Sequence, residues 1–136
     1  MCLINSFYKN DELMENKIIL QASQISIGYS YKKEKIVVAS HIDLTLEKGK
    51  LIALIGANGI GKSTLLKTIT GIQKPLSGTV SLNEKNIHEL DSLSLAQNLS
   101  LVLTEKLPPS NLTVFELIAL GRQPYTNWIG KLTEHD

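Results

Sequence analysis

The sequence predicts an α/β fold, and three consecutive stretches of the chain carry that prediction. The apolar run 51–55 (Leu-Ile-Ala-Leu-Ile) is typical of a buried strand. A glycine-rich segment follows at 56–64, and residues 63–71 then show the apolar spacing and the terminal glycine of a short helix. Several shorter segments of alternating polarity precede this unit, which adds strands ahead of the α/β core.

The glycine-rich segment fits a phosphate-binding loop, because residues 56–63 match the pattern Gly-x4-Gly-Lys-Ser. Backbone N–H groups must converge on one phosphate, and glycine permits the concave turn and close backbone approach that this requires. The following helix points its positive end at the same anion, Lys62 can reach the β- and γ-phosphates, and the Ser63 hydroxyl can bind Mg²⁺. A glycine-rich turn without a ligand is the alternative, but the flanking strand and helix favour a nucleoside triphosphate site. The predicted binding residues are Gly56, Ala57, Asn58, Gly59, Ile60, Gly61, Lys62, Ser63 and Thr64.

Length, composition and charge describe a chain that can form one domain with its own core. Its 136 residues include 43% hydrophobic and 20% charged side chains, and the formal net charge is +1 with both signs intermixed. No basic face is visible, so nucleic acid is not an expected partner. The single cysteine, Cys2, excludes an internal disulfide and fits a reducing, cytoplasmic setting. Residues 1–16 lack the apolar core of a signal peptide and predict a disordered leader, with Met14 as an alternative start.

The rest of the chain divides into short elements. The predicted strands besides 51–55 are 17–31 (one strand or two), 42–46, 79–82 and 99–103, and the predicted helices are 63–71, 91–98 and 113–121. The apolar strand 99–103 is expected beside the central strand in a parallel sheet. Thr113 and Glu116 have the spacing of a capping box, which predicts that a helix begins there.

From Ile25 onward the chain resembles the first half of an ABC transporter nucleotide-binding domain. The residues that carry this resemblance are Ile25-Ser26-Ile27-Gly28-Tyr29, Ile42-Asp43-Leu44, Glu47-Lys48-Gly49, the loop at 56–64 and the run Gly-Ile-Gln-Lys-Pro-Leu-Ser-Gly-Thr-Val at 71–80. The resemblance implies a P-loop NTPase (RecA-like) core with an N-terminal antiparallel β subdomain. It assigns 17–136 to the N-terminal part of that domain, with a helical subdomain starting near 111–136.

The same resemblance assigns roles to further residues. Tyr29 matches the aromatic residue that stacks on adenine, and Tyr31 is the alternative for this role. The ligands that the resemblance implies are ATP and Mg²⁺. The family's next element is a glutamine that contacts Mg²⁺ and the attacking water. Its position falls on Thr104, with Glu105 beside it, which is a departure from the family pattern. Thr104 and Glu105 are therefore only possible equivalents of that glutamine.

Several motifs of the family do not occur before Asp136. The signature Leu-Ser-Gly-Gly-Gln, the Walker B aspartate with its adjacent glutamate base and the switch histidine are all missing, so the sequence is expected to be truncated before them. We therefore expect this chain to bind ATP without hydrolysing it.

The function that the resemblance implies is that of an ATP-binding importer subunit. Such a subunit couples ATP binding and hydrolysis to uptake, is peripheral at the cytoplasmic face of the cell membrane, and works with a membrane permease and a second nucleotide-binding domain. Residues 112–125 further resemble importers for iron-siderophores, haem and cobalamin. A small P-loop kinase is one alternative, although Arg122 is the only arginine after the loop. A non-catalytic nucleotide-binding module is the other.

Overall fold

The computed structural model describes residues 17–32, 34–102 and 112–125. These residues contain a four-stranded antiparallel sheet in the order β2-β1-β3-β4. The strands are β1 (Ile18–Tyr31), β2 (Glu34–Glu47), β3 (Ser77–Leu82) and β4 (Lys85–Asn86). The expected N-terminal antiparallel sheet is thus confirmed. The stretch 17–31 forms one long strand, and the predicted strand 42–46 lies within β2.

The core forms where the inner face of β1 meets β3 and helix α1 (Lys62–Ile69). On β1, Leu20 and Ala22 are buried and alternate with less buried neighbours, and the same alternation resumes at Ile25 and Ile27. The pairing register of β1 shifts between Ala22 and Ile25, and this irregularity keeps both pairs on the same buried face. The full set of buried hydrophobic residues is Leu20, Ala22, Ile25, Ile27, Leu66, Ile69, Val80, Leu82 and Ile87.

Three short helices accompany the sheet: α1, α2 (Ser92–Asn98) and α3 (Val114–Ala119), the last continued by a 3-10 segment at Leu120–Tyr125. All three follow the sequence predictions to within two residues. Asp91 caps α2 by accepting the N–H of Ser94 at 2.9 Å. The capping box of α3 is confirmed, with Thr113 and Glu116 each accepting the other's backbone N–H. None of the helices in the described ranges has both the length and the apolar character needed to cross a lipid bilayer.

The prediction of a buried central strand at 51–55 is wrong. Residues 51–57 are in no strand, and Leu51 and Ile55 are 86% and 90% exposed. A buried strand needs a hydrogen-bonding neighbour on each side, and no described residue pairs with this stretch. Residues 99–102 likewise form no strand, so the parallel sheet predicted beside the central strand is not formed by the described residues.

Residues of these two apolar runs line an open cleft instead of the interior of a sheet. The cleft is lined by Ile19, Leu20, Leu46, Glu47, Lys50, Ile52, Thr70, Leu82, Asn98, Leu99 and Ser100. None of the predicted nucleotide-binding residues is among them. The leader 1–16, residue 103, Thr104 with Glu105, and 126–136 lie outside the described residues.

Candidate nucleotide-binding site

The glycine-rich loop reaches helix α1 through a backbone conformation that glycine adopts readily. Gly61 is the N-cap residue of α1 at φ +105°, and Gly59 precedes it at φ +81°. A Cβ atom built on Gly61 would lie 2.5 Å from Cγ1 of Val38 on β2. The loop therefore runs directly against β2 at this point, and position 61 has neither the backbone freedom nor the space for a side chain.

The first turn of α1 presents backbone donors for which no backbone acceptor is found among the described residues. The N-cap Gly61 has no side chain to cap the helix, and no acidic residue lies in the first turn. The helical bonding starts with the N–H of Leu65, which donates to Gly61 O at 2.8 Å. For the N–H groups of residues 62–64 no backbone acceptor is found within the described part of the chain. Unpaired N–H groups at the positive end of a helix form an anion site.

Lys62 lies over the beginning of the same loop. Its Nζ donates to Gly56 O at 2.6 Å and to Ala57 O at 2.7 Å. These bonds hold the ammonium group within the loop instead of letting it extend into solvent. The acceptors are neutral carbonyl oxygens, so phosphate oxygens, which form stronger charge-assisted bonds, can replace them.

Ser63 and Thr64 differ in their surroundings. Ser63 is exposed, and no hydrogen bond of its hydroxyl to another described residue is found. An exposed hydroxyl oxygen beside a phosphate site suits Mg²⁺, a hard cation that takes oxygen ligands, so the residue fits the metal role predicted for it. Thr64 is buried at 6% exposure, and its Oγ1 lies 3.1 Å from the hydroxyl of Tyr29.

The structure separates the two candidate aromatic residues at the end of β1. Tyr29 reaches α1 through its bond to Thr64, while its side chain remains 52% exposed. Tyr31 is 70% exposed, and Lys32 Nζ lies 5.5 Å from the centroid of its ring. Tyr29 is therefore the tyrosine that contacts helix α1. Its stacking on a base stays a prediction.

Two side-chain contacts near the site are not indicated by any local pattern in the sequence. Val38 fills the space beside Gly61, and Gln73 donates a side-chain hydrogen bond to the carbonyl of Gly28, next to Tyr29. Both contacts join residues more than twenty positions apart, so no local pattern of polarity could reveal them.

Among the described residues no group of three or more His, Cys, Asp and Glu side chains could hold a metal ion. His88 lies outside the loop. Partial burial, followed by the nearby charge of Lys74, lowers its pKa from the ordinary value.

Comparison with known proteins identifies relatives for most of this chain. The family model described as ABC transporter matches residues 39–135. An uncharacterised ABC transporter ATP-binding protein of Methanocaldococcus jannaschii is 45% identical over 118 residues, which is 87% of this chain and 39% of that protein. The iron(3+)-hydroxamate import ATP-binding protein of Bacillus subtilis is 37% identical over 117 residues, covering 86% of this chain and 42% of that protein.

A solved structure shares the fold. A putative metal-chelate type ABC transporter in an inward-facing conformation matches 88% of this chain and 41% of its own chain, with a TM-score of 0.58 and 22% sequence identity. The chain thus spans about two fifths of the length of the relatives that it matches.

Proposed function

Since the chain belongs to the ABC transporter family, we propose that it supplies the ATP-binding loop of an importer subunit. The observation that carries this proposal is the loop at 56–64. The N–H groups of residues 62–64 have no backbone acceptor among the described residues, and the ammonium of Lys62 bonds to the carbonyl oxygens of Gly56 and Ala57. A small P-loop kinase is not favoured, because the family model that matches is that of ABC transporters.

The residues of the loop have distinct roles in this proposal. The N–H groups of the first turn of α1 bind phosphate oxygens, and Lys62 exchanges its two carbonyl acceptors for the β- and γ-phosphates. Ser63 offers a hydroxyl to Mg²⁺, which when bound offsets charge between the phosphates. Tyr29 stacks on the adenine ring while its hydroxyl stays near Thr64.

In the whole protein we infer that ATP binding and hydrolysis drive uptake through a membrane permease. The subunit is then peripheral at the cytoplasmic face of the membrane and pairs with a second nucleotide-binding domain. Iron-siderophores, haem and cobalamin are the proposed cargo class. Support comes from the resemblance of residues 112–125 to such importers and from the iron(3+)-hydroxamate import named for the relative in Bacillus subtilis.

Calorimetry with ATP and Mg²⁺ tests the nucleotide site. Replacing Lys62→Ala removes charge-assisted bonds to phosphate, so we expect a loss of about 1.5–3 kcal/mol, or roughly 10- to 150-fold in Kd. Lys48→Ala is the matched control, since Lys48 is an exposed lysine in the turn after β2. Equal affinities for the Lys62→Ala variant and the unaltered chain would refute the site.

Uptake by cells that carry the whole gene tests the cargo. We expect the Lys62→Ala substitution in that gene to abolish uptake of a labelled ferric hydroxamate, while the Lys48→Ala substitution leaves it intact. If the Lys62→Ala variant keeps ferric hydroxamate uptake but loses uptake of cobalamin or haem, the cargo is that other compound.

A further inference from the structure

The end of β1 contacts helix α1 at one place and the segment that follows this helix at another. The hydroxyl of Tyr29 meets Thr64 in the first turn of the helix at 3.1 Å. The carbonyl of Gly28, one residue earlier, accepts a hydrogen bond from the side-chain amide of Gln73, which follows the end of the helix. Gln73 is itself fixed there, because its backbone N–H donates to Lys67 O at 3.0 Å.

The pairing of β1 with β3 explains why a side chain serves as the donor. Ser26 pairs with Ser77, and the N–H of Leu76 donates to Ser26 O at 2.7 Å. The paired residues end at Ser26 and Ser77, so Gly28 has no pairing partner on β3. Gly28 is buried, so its carbonyl oxygen has little access to water and needs a protein donor. The amide of Gln73 takes the place of the missing backbone donor.

We propose that Gln73 is a positioning residue for the base side of the nucleotide site, acting through Gly28 on the placement of Tyr29. This inference rests on the proposed function, in which Tyr29 stacks on adenine. Gln73 fixes the backbone immediately before Tyr29, and Thr64 fixes the tip of its side chain. The aromatic ring between these two anchors is thereby held beside the phosphate loop before a nucleotide arrives, which reduces the ordering cost of stacking.

Comparing the affinities for ATP and for inorganic tripolyphosphate distinguishes a loss of ring positioning from general damage to the site. Tripolyphosphate engages the loop at 56–64 but has no base to stack on Tyr29. We expect Gln73→Met, which keeps the size of the side chain and removes its donor, to weaken ATP binding about two- to tenfold, the range of a stacking interaction. Tripolyphosphate affinity in the presence of Mg²⁺ should stay unchanged. Gln21→Met is the matched control, since Gln21 is exposed on β1.

A double variant completes the test. If Gln73 acts through Tyr29, combining Gln73→Met with Tyr29→Ala causes no further loss beyond that of Tyr29→Ala alone. Additive losses, no loss of ATP affinity, or equal losses for ATP and tripolyphosphate would each overturn the inference. If circular dichroism shows that Gln73→Met does not fold, Gln73→Glu is tested by the same criteria, since its side chain also lacks an N–H donor. Failure of both to fold assigns Gln73 a general structural role and overturns the inference as well.

The two proposals fail in different ways. An unaltered chain that binds ATP and tripolyphosphate equally well overturns the base-side inference and leaves the phosphate loop intact. An unaltered chain that binds neither overturns the proposed function, and the inference falls with it.

Discussion

Replacing Gly61 with alanine is expected to destabilise the fold at the junction of the glycine-rich loop and β2. The new Cβ would lie 2.5 Å from Cγ1 of Val38 and 3.8 Å from Cδ1 of Ile27. A side chain at a positive φ costs about 1–2 kcal/mol, and overpacking of this kind costs about 1–3 kcal/mol. The free energy of unfolding should therefore fall by roughly 2–5 kcal/mol, a large share of the 5–15 kcal/mol of a typical domain.

Gly59→Ala is the matched control for this experiment. Gly59 also has a positive φ, but a Cβ there would meet nothing within 4 Å, so only the backbone cost of about 1–2 kcal/mol remains. Adding Val38→Ala to Gly61→Ala removes the clashing methyl group. The double variant should therefore recover the part of the free energy of unfolding that overpacking had cost. Urea unfolding followed by circular dichroism measures all four variants of the Gly61–Val38 cycle, and the Gly59 control, on one scale. Equal effects of the two glycine substitutions, or no recovery with Val38→Ala, would refute the reasoning from packing.

Three further predictions concern the site and one helix. Tyr29→Ala should lower ATP affinity more than Tyr31→Ala, because Tyr29 contacts Thr64 whereas Tyr31 lies beside Lys32; titration of both variants decides this, and a larger loss at Tyr31 reverses the assignment. The purified 136-residue chain should release no phosphate from ATP above background, since phosphoryl transfer needs several charge-stabilising groups that its sequence lacks; turnover that Lys62→Ala abolishes would contradict this. Hydrogen bonds from the Ser94 side chain and backbone lower the pKa of Asp91, so the charged cap stabilises α2 above the pKa of a free carboxyl and loses this effect as the pH falls through the lowered pKa. Asp91→Ala should therefore lower Tm at pH 7 and have little effect near pH 2, and a difference in Tm that does not change between those pH values would disprove it.

Local signals predicted the elements that are stabilised by their own residues. The helix after the loop follows from its apolar spacing and the glycine at 71, and α3 follows from the Thr113 and Glu116 capping box. Both depend on contacts within a few positions, which a sequence displays directly.

The wrong strand predictions have a common cause. The runs 51–55 and 99–102 are apolar enough for buried strands, but a strand is completed by hydrogen bonds to neighbouring strands. No such neighbour is found among the described residues, and nothing within a five-residue run indicates whether one is present. The sheet that does form uses the alternating segments of β1, β2 and β3, which pair with one another.

The sequence predicts the loop of the candidate site but not the contacts that support this loop. The spacing of glycines and the Lys62-Ser63 pair predict a phosphate loop because phosphate binding requires those residues in that order. The contacts of Val38 with position 61 and of Gln73 with Gly28 depend on the folded arrangement of three separate elements. No periodic pattern in a single sequence indicates that two such distant residues are in contact.

The long hairpin of β1 and β2 has a consequence for the order in which the chain folds. Only two residues separate the end of β1 at Tyr31 from the start of β2 at Glu34, and hairpins of this kind form within about 1–10 μs. The contact of Tyr29 with Thr64 closes a much longer loop, so we expect helix α1 to dock after the hairpin. A nucleotide bound as proposed, across Tyr29 and the loop, would bind only once that docking is complete. Its stabilisation should accordingly appear as slower unfolding, with the folding rate little changed.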